Sequence, residues 1–323
     1  MSAAVDFQLT KEQGELRDGM RALLAGRFGP ERLRAAVAKP APDRALWREL
    51  GAAGLFALRL PEADGGVGLG LPEAALLFEE TGRALLPGPL VACHLLAGHL
   101  DGVATGERLV GLTQAPGGPG LWEHPDTCEE LVVLPGDEGG PVRVFRPGAT
   151  TDTPRPSSVD PLTPLARVSA GAGRALPGPA PDVRRMRREA ALLTAAQQLG
   201  SAARTVEKAV AYARVREQFG APIGAFQAVK HLCAGMLVRA ETARAAVYAA
   251  AVTESEDEVC AAKLLADDAA VRNARDCLQV HGGMGFTWEA EIHLHLKRAW
   301  WRAECWGGAR ETEERLAAGL LTG

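Results

Sequence analysis

The sequence predicts a mainly α protein in which two helical blocks flank a short β segment. Apolar residues recur at helical spacing from about residue 8 to 100 and again from about 184 to 320. Between them, short β-favouring runs alternate with Pro/Gly-rich turns. These changes of character divide the chain into an N-terminal helical domain (1–104), a reduced middle β domain (105–183) and a C-terminal helical bundle (184–323).

The first helix opens at Thr10, with Gln13 three residues on, a capping-box pattern. Leu16, Met20, Leu23 and Leu24 follow at helical spacing. Leu46, Trp47, Leu50 and Leu55 form a second apolar face. The run Pro61-Glu62-Ala63-Asp64-Gly65-Gly66 breaks the pattern, and Pro72 lies near the start of a helix to Leu86. In the middle, Leu109–Leu112, Leu131–Leu134 and Val142–Phe145 read as strands, and 147–164 and 171–183 read as loops or linkers. In the last block, Leu192, Leu193, Ala196, Leu199 and Ala203 share one face, as do Val229, Leu232, Met236 and Ala240. So many small residues predict close helix–helix packing, and Gly200 permits close approach.

Bulk properties exclude several classes of function. A net charge of −4 gives no global attraction for nucleic acid. No run reaches the ~18 apolar residues of a membrane helix, and the first residues carry no basic-then-apolar leader pattern. A cytoplasmic protein is expected. The six cysteines include no C-x-x-C pair, so neither a zinc site nor a dithiol redox motif is indicated. His293 and His295 are two apart, the wrong spacing for one helix face. No metal site is expected.

Two motifs carry chemistry. The first, Tyr212 to Gln227, reads Y-A-R-V-R-E-Q-F-G-A-P-I-G-A-F-Q. The second, Gln279 to Phe286, reads Q-V-H-G-G-M-G-F. The Arg216 guanidinium suits a diphosphate through two parallel hydrogen bonds. Gln218 offers an amide, and Phe219 an apolar surface for an adenosine. Gly282, Gly283 and Gly285 let the backbone approach phosphate oxygens and present N–H groups to them. Each motif alone also admits a structural role. Arg216 could cap a helix or pair with Glu217 or Glu241, and Gly282-Gly283 could be a simple turn.

Together with Leu46-Trp47…Leu50-Gly51…Gly54-Leu55, Pro61-Glu62…Gly65-Gly66-Val67-Gly68 and Glu79-Glu80-Thr81-Gly82-Arg83-Ala84-Leu85, these motifs make the chain resemble acyl-CoA dehydrogenases over most of its length. The resemblance implies that family's order of a helical domain, a β domain and a four-helix bundle. It implies an FAD whose ADP portion touches Arg216, Gln218, Phe219, Gln227, Gln279, Gly282 and Gly283, and whose ring is held by a neighbouring subunit. The sequence departs from the family twice. A T-E-P-x-x-G-S-D-like stretch that holds the flavin ring is replaced by Leu112-Thr113-Gln114-Ala115-Pro116-Gly117-Gly118-Pro119, and Trp122 stands elsewhere, as core or loop packing. The Glu expected as catalytic base is replaced by Gly307 in Cys305-Trp306-Gly307-Gly308-Ala309. The alternative base position falls on Ala190, one residue from Glu189 and so about 100° away around a helix. Glu304 and Glu311 lie on other faces.

The resemblance then implies the smaller, base-less subunit of an α2β2 heterotetrameric acyl-CoA dehydrogenase of the steroid side-chain type, with no catalytic residue of its own. FAD would be shared with a longer catalytic partner, which binds most of the acyl-CoA. Two alternatives stay open: a complete homomeric dehydrogenase with a relocated Glu, and a flavin-free scaffold.

Overall fold

In a computed structural model, residues 8–114, 120–136, 139–146, 155–168 and 173–322 are described. In chain order the helices and strands are α1 (Lys11–Arg27), α2 (Pro30–Ala38), α3 (Arg44–Ala52), α4 (Leu71–Arg83), α5 (Leu90–Leu96), β1 (Val110–Gln114), β2 (Gly120–Glu123), β3 (Glu130–Leu134), β4 (Arg143–Phe145), β5 (Leu165–Val168), β6 (Arg174–Ala175), α6 (Val183–Val215), β7 (Glu217–Gln218), β8 (Ala221–Pro222), α7 (Gln227–Thr253), α8 (Glu256–His281), α9 (Ile292–Glu304) and α10 (Ala309–Thr322). The mainly α reading holds. Among the described residues no helix is long and apolar enough to cross a membrane.

Two compact units form. One gathers residues 1–29, 71–85 and 191–323, and the other 30–70 and 86–190. The first holds α1, α4, α7–α10 and α6 from Ala191 on. The Thr10 side chain accepts from the Gln13 N–H, and the Gln13 side chain accepts from Thr10 N–H, the predicted capping box. The packing of α4 on α6 is backbone against backbone. A Cβ on Gly82 would stand 2.0 Å from the Gln197 carbonyl oxygen, and one on Gly200 would stand 1.8 Å from that of Glu79. Charges buried beside this contact are paired. Arg21 forks onto Glu80, and Arg244 and the Tyr248 hydroxyl both donate to Glu79. Lys263, almost wholly buried, pairs with Asp267 one turn on and donates to the Arg302 carbonyl at 3.1 Å.

The second unit is richer in β structure than the sequence predicts. Strands run β1-β3-β4-β6 in one sheet, with β1 parallel to β3 and the remaining pairs antiparallel, while β2 pairs antiparallel with β5. The three runs read as strands are β1, β3 and β4. The others were hidden because β2 follows a Pro/Gly turn, β5 is four residues between the two stretches that read as loop, and β6 is two residues within the second. Residues 147–154 and 171–172 of those stretches, and Ala115–Pro119 of the altered flavin-ring stretch, lie outside the described residues. Trp122, on β2, is core: it is buried with Cys128, Leu131, Val133, Phe145 and Val168. Its indole lies so close over Gly111 that a Cβ there would meet Nε1 at 2.5 Å.

Gly200→Ala is therefore expected to destabilise the chain by about 3 kcal/mol, the upper end of overpacking costs, because the clash is with backbone that cannot rotate away. Urea denaturation checks this. A midpoint equal to wild type would mean that α4 and α6 separate without cost.

Candidate functional site

Both motifs lie at one end of the helical bundle, because α6 ends, α7 begins and α8 ends there. The first motif leaves α6 with one more helical bond, Arg216 N–H to Tyr212 O at 2.9 Å, and enters a two-residue hairpin. Glu217 pairs with Pro222 and Gln218 with Ala221. The turn residues are Phe219 at φ 54° and Gly220 at φ 78°. This left-handed pair suits the twist of a tight hairpin, which favours Asn and Gly at such positions. An aromatic residue in that conformation is strained. Phe219 is nonetheless 95 % exposed. Among the described residues its ring pairs with one other, the edge of Phe226, with centroids 6.2 Å apart. The Gln218 amide donates to its neighbour's carbonyl at 2.8 Å. Gln227 opens α7, and the preceding Phe226 supplies no side-chain cap, so the first N–H groups of a long helix point outward with their positive dipole end.

The second motif ends α8. Gly282, at φ 59° and ψ −143°, takes a backbone shape costly for other residues, and a 3-10 turn runs from Gly282 to Phe286. A Cβ on Gly282 or Gly283 would meet nothing within 4 Å. Nothing in the chain's own packing requires Gly283, which fits a backbone that something else must approach. Gly285 differs: a Cβ there would crowd His281 and Leu278 at 3.1 Å. Gln279, Gly282, Gly283, Met284 and Phe286 are exposed. Arg216 is exposed and forms no ion pair among the described residues, and Glu241 pairs with Arg244 instead.

Contacts that the sequence reading missed join the two motifs. Tyr212 stacks on His281, with ring centroids 4.1 Å apart and planes 21° from parallel. His281 Nδ1 lies 2.8 Å from the Cys277 carbonyl, which can only accept, so Nδ1 carries the proton. Partial burial lowers the pKa of His281, so its ring is neutral at pH 7. Lys208 pairs with Glu291 beyond the diglycine turn. Burial and Arg204 push the Lys208 ammonium down to about 8, while the Glu291 carboxylate opposes loss of its proton. The available signal was spacing: Lys208, Tyr212 and Arg216 recur every four residues along one face of α6.

The candidate bases sit in unsuitable places. Gly307 is buried at φ 106°, and a Cβ there would stand 3.1 Å from Thr312 Oγ1. Ala190 is fully buried. Glu189 accepts from Arg59 and from Arg185, each at 2.7 Å. Burial pushes its carboxyl up, but the two arginines outweigh this and leave it below its ordinary value. A carboxylate held so firmly is a weak proton acceptor. Glu304 is exposed, and Glu311 pairs with Arg315 at 2.5 Å.

Comparison with known proteins agrees with this geometry. A family model described as "Acyl-CoA dehydrogenase, N-terminal domain" matches residues 10–106, and one described as "Acyl-CoA dehydrogenase, C-terminal domain" matches 185–320. The chain is 35 % identical to acyl-CoA dehydrogenase IpdE2 of Mycolicibacterium smegmatis, over 96 % of this chain and 99 % of that one. It is 36 % identical to IpdE2 of Mycobacterium tuberculosis, over 95 % and 96 %. Among solved structures, a variant of the Tcur3481-Tcur3483 steroid ACAD superposes with a TM-score of 0.83 at 26 % identity, covering 97 % of this chain and 98 % of that one. The ChsE4-ChsE5 complex from Mycobacterium tuberculosis shares the fold, with a TM-score of 0.82 at 23 % identity over 99 % of this chain and 100 % of that one. These matches define a flavoprotein oxidoreductase of the mainly α kind. The chain belongs to the acyl-CoA dehydrogenase family.

Two predictions follow from the geometry. Phe219→Asn relieves a left-handed strain of ~1 kcal/mol and should raise the unfolding midpoint of the chain. The same change should weaken flavin retention, so stability and binding move in opposite directions. Equal losses of both would assign Phe219 to the fold. Glu189→Gln should destabilise the chain at neutral pH. The folded Glu189 carboxyl lies below its ordinary 4.5. Its stabilising contribution is therefore present above the unfolded value and lost as pH falls through the folded one. Denaturation of both proteins against pH should converge in acid.

Proposed function

We propose that this chain is the FAD-contacting, base-less subunit of a heteromeric acyl-CoA dehydrogenase, with one flavin shared between it and a longer catalytic subunit. Three parts serve that role: 1–104, 105–183 and 184–323, the first and last supported by the family matches. The carrying observation is Phe219, an aromatic side chain kept at strained φ and almost fully in solvent, its ring paired among the described residues with the edge of Phe226. Such a residue makes sense where another molecule covers it. Support for a heteromer comes from the likeness to the Tcur3481-Tcur3483 steroid ACAD, which also favours an acyl-CoA with a steroid side chain as substrate.

The residues present fit a dinucleotide. Arg216 forms no ion pair among the described residues, α7 offers an N-terminus without a side-chain cap, and the diglycine turn is open above its backbone. An FAD held there would supply a hydride acceptor for the substrate's β-carbon, with the α-proton going to a base. Arg216 and the N–H groups of Gly282 and Gly283 would neutralise the diphosphate. Phe219 would cover the adenosine, with Gln218, Gln227 and Gln279 as neutral hydrogen-bonding partners. The α-proton would pass to a carboxylate of the partner subunit, since Gly307 has no side chain and Glu189 is engaged by Arg59 and Arg185.

Co-expression with a longer homologue tests this. The two chains should purify in equal amounts with one FAD per pair, whereas this chain alone should be colourless. Arg216→Ala removes charge-assisted hydrogen bonds worth roughly 1.5–3 kcal/mol, so the complex should lose FAD on dilution while its chains stay together. A yellow, active homomer would instead establish a complete dehydrogenase with a relocated base. A colourless complex would establish a flavin-free scaffold.

A further inference from the structure

The two halves of the site come from segments far apart in sequence, and one of them is rich in glycine. Residues 282–291 contain Gly282, Gly283 and Gly285, and glycine loses more conformational freedom on ordering than any other residue. A turn that must present N–H groups to an anion binds weakly unless its shape is set beforehand. Gly285 packs on Leu278 of α8, and α6 adds one contact at each end of the segment. His281, just before the first glycine, carries the Tyr212 ring on its face. Its other side is tied by Nδ1 to the Cys277 carbonyl. Glu291, at the far end, is paired with Lys208. Tyr212 is one turn from Arg216, and Lys208 one turn further back. Between these ends, Trp288 is steadied by the edge of His293 at 4.7 Å and by the Lys297 ammonium 4.6 Å from its ring centre.

We propose that Tyr212 and Lys208 are positioning residues. From one face of α6 they grip the 282–291 segment at both ends and hold the diglycine turn in register with Arg216. Neither contacts the diphosphate. Both act through the backbone they hold. The arrangement puts the Arg216 arm and the N–H arm of the anion site on one rigid support, so the two cannot drift apart when no flavin is bound. The inference rests on the half-site reading, because register with Arg216 matters only if both arms take one ligand.

The test has two arms. In the full chain, hydrogen exchange is followed at the amides of 282–291. Tyr212→Ala should speed exchange there, while Tyr212→Phe, which keeps the stack, should not. In the complex with the longer subunit, stripped of flavin and titrated with FAD, Tyr212→Ala and Lys208→Glu should each raise the FAD Kd about tenfold, near the upper range for a lost aromatic pair or partly buried ion pair. Tyr212→Phe should keep the wild-type Kd, and the swap Lys208→Glu with Glu291→Lys should recover most of the loss. General damage to the fold would not be repaired by reversing a charge pair. Unchanged exchange and unchanged Kd in Tyr212→Ala would overturn the proposal. Arg216→Ala, run alongside, separates the two levels. If it weakens FAD and Tyr212→Ala does not, the clamp is wrong and the half-site stands. If Arg216→Ala leaves the Kd at wild type, the half-site fails and the clamp with it.

Discussion

Helices α4 and α6 touch backbone to backbone at Gly82 and Gly200, and the arginine half of the candidate site hangs from the α6 that this contact fixes. At these two glycines backbone meets backbone, so the spacing has little tolerance, and beside them the Gln197 amide donates to Thr81 Oγ1 at 3.1 Å. A rotamer change can absorb a misplaced methyl between two leucines, but nothing absorbs one between two peptide planes. The cost of so tight an approach is that carboxylates on α4 are buried with it. Glu79 and Glu80 are nearly inaccessible. Each is met by arginine, Glu79 by Arg244 and Glu80 by Arg21, and Glu79 also receives the Tyr248 hydroxyl. Burial and the Glu79 carboxylate push the Tyr248 phenol well above its ordinary range, so it stays a donor. Such pairs add little net stability, but removing one partner leaves a buried charge with no counterpart. They tie α1, α4 and α7 into one unit.

That rigidity contrasts with the other end of α6. There the backbone turns through a strained hairpin, and aromatic and apolar side chains stand in solvent. Val215, Phe219, Met284, Phe286 and Trp288 are all exposed in a chain whose remaining large apolar residues are mostly core. Other large apolar residues are exposed singly, such as Val67, Val159 and Leu265, but three aromatic rings, Phe219, Phe286 and Trp288, stand in solvent in and just after the two motifs. Rigid support and exposed, strained contact residues belong together. A binding site must keep its shape while its ligand is absent.

Much of this was legible in the sequence, and the failures have identifiable causes. Helices were found because their apolar residues repeat over several turns. The capping box at Thr10 and the close approach at Gly200 followed from residue type alone. The two motifs were found because glycine, arginine and proline have few interchangeable roles. The middle segment was under-read because β2, β5 and β6 are each four residues or fewer, too short for alternation to stand out from turns. Trp122 looked misplaced for flavin work and proved to be core between those strands. The Tyr212–His281 stack and the Lys208–Glu291 pair were illegible, because each joins segments that only the tertiary fold brings together. Spacing showed which face of α6 the first partners share. It could not show what that face meets.

The geometry at Gly307 does not favour a carboxylate at that position. A glycine is readily replaced by an L-residue where φ is negative and a Cβ has room. Here Gly307 is buried at φ 106°, in a region essentially reserved for glycine, and the space for a Cβ is taken by Thr312 Oγ1 at 3.1 Å. The residue before it, Trp306, is itself left-handed at φ 61°. Two consecutive positive φ values make a tight turn here. A glutamate there would have to pull the chain back toward ordinary φ and displace the start of α10. The nearest alternative, Glu189, is occupied in a different way: its lone pairs are spent on Arg59 and Arg185, which keep it charged and inward. The backbone of one position is unsuited to a carboxylate, and the other holds a carboxylate that two arginines engage. The arginine and diglycine motifs differ from both. Their cation is unpaired among the described residues, their aromatic ring is uncovered and their glycine backbone is open, the state expected of groups whose partner lies outside the chain.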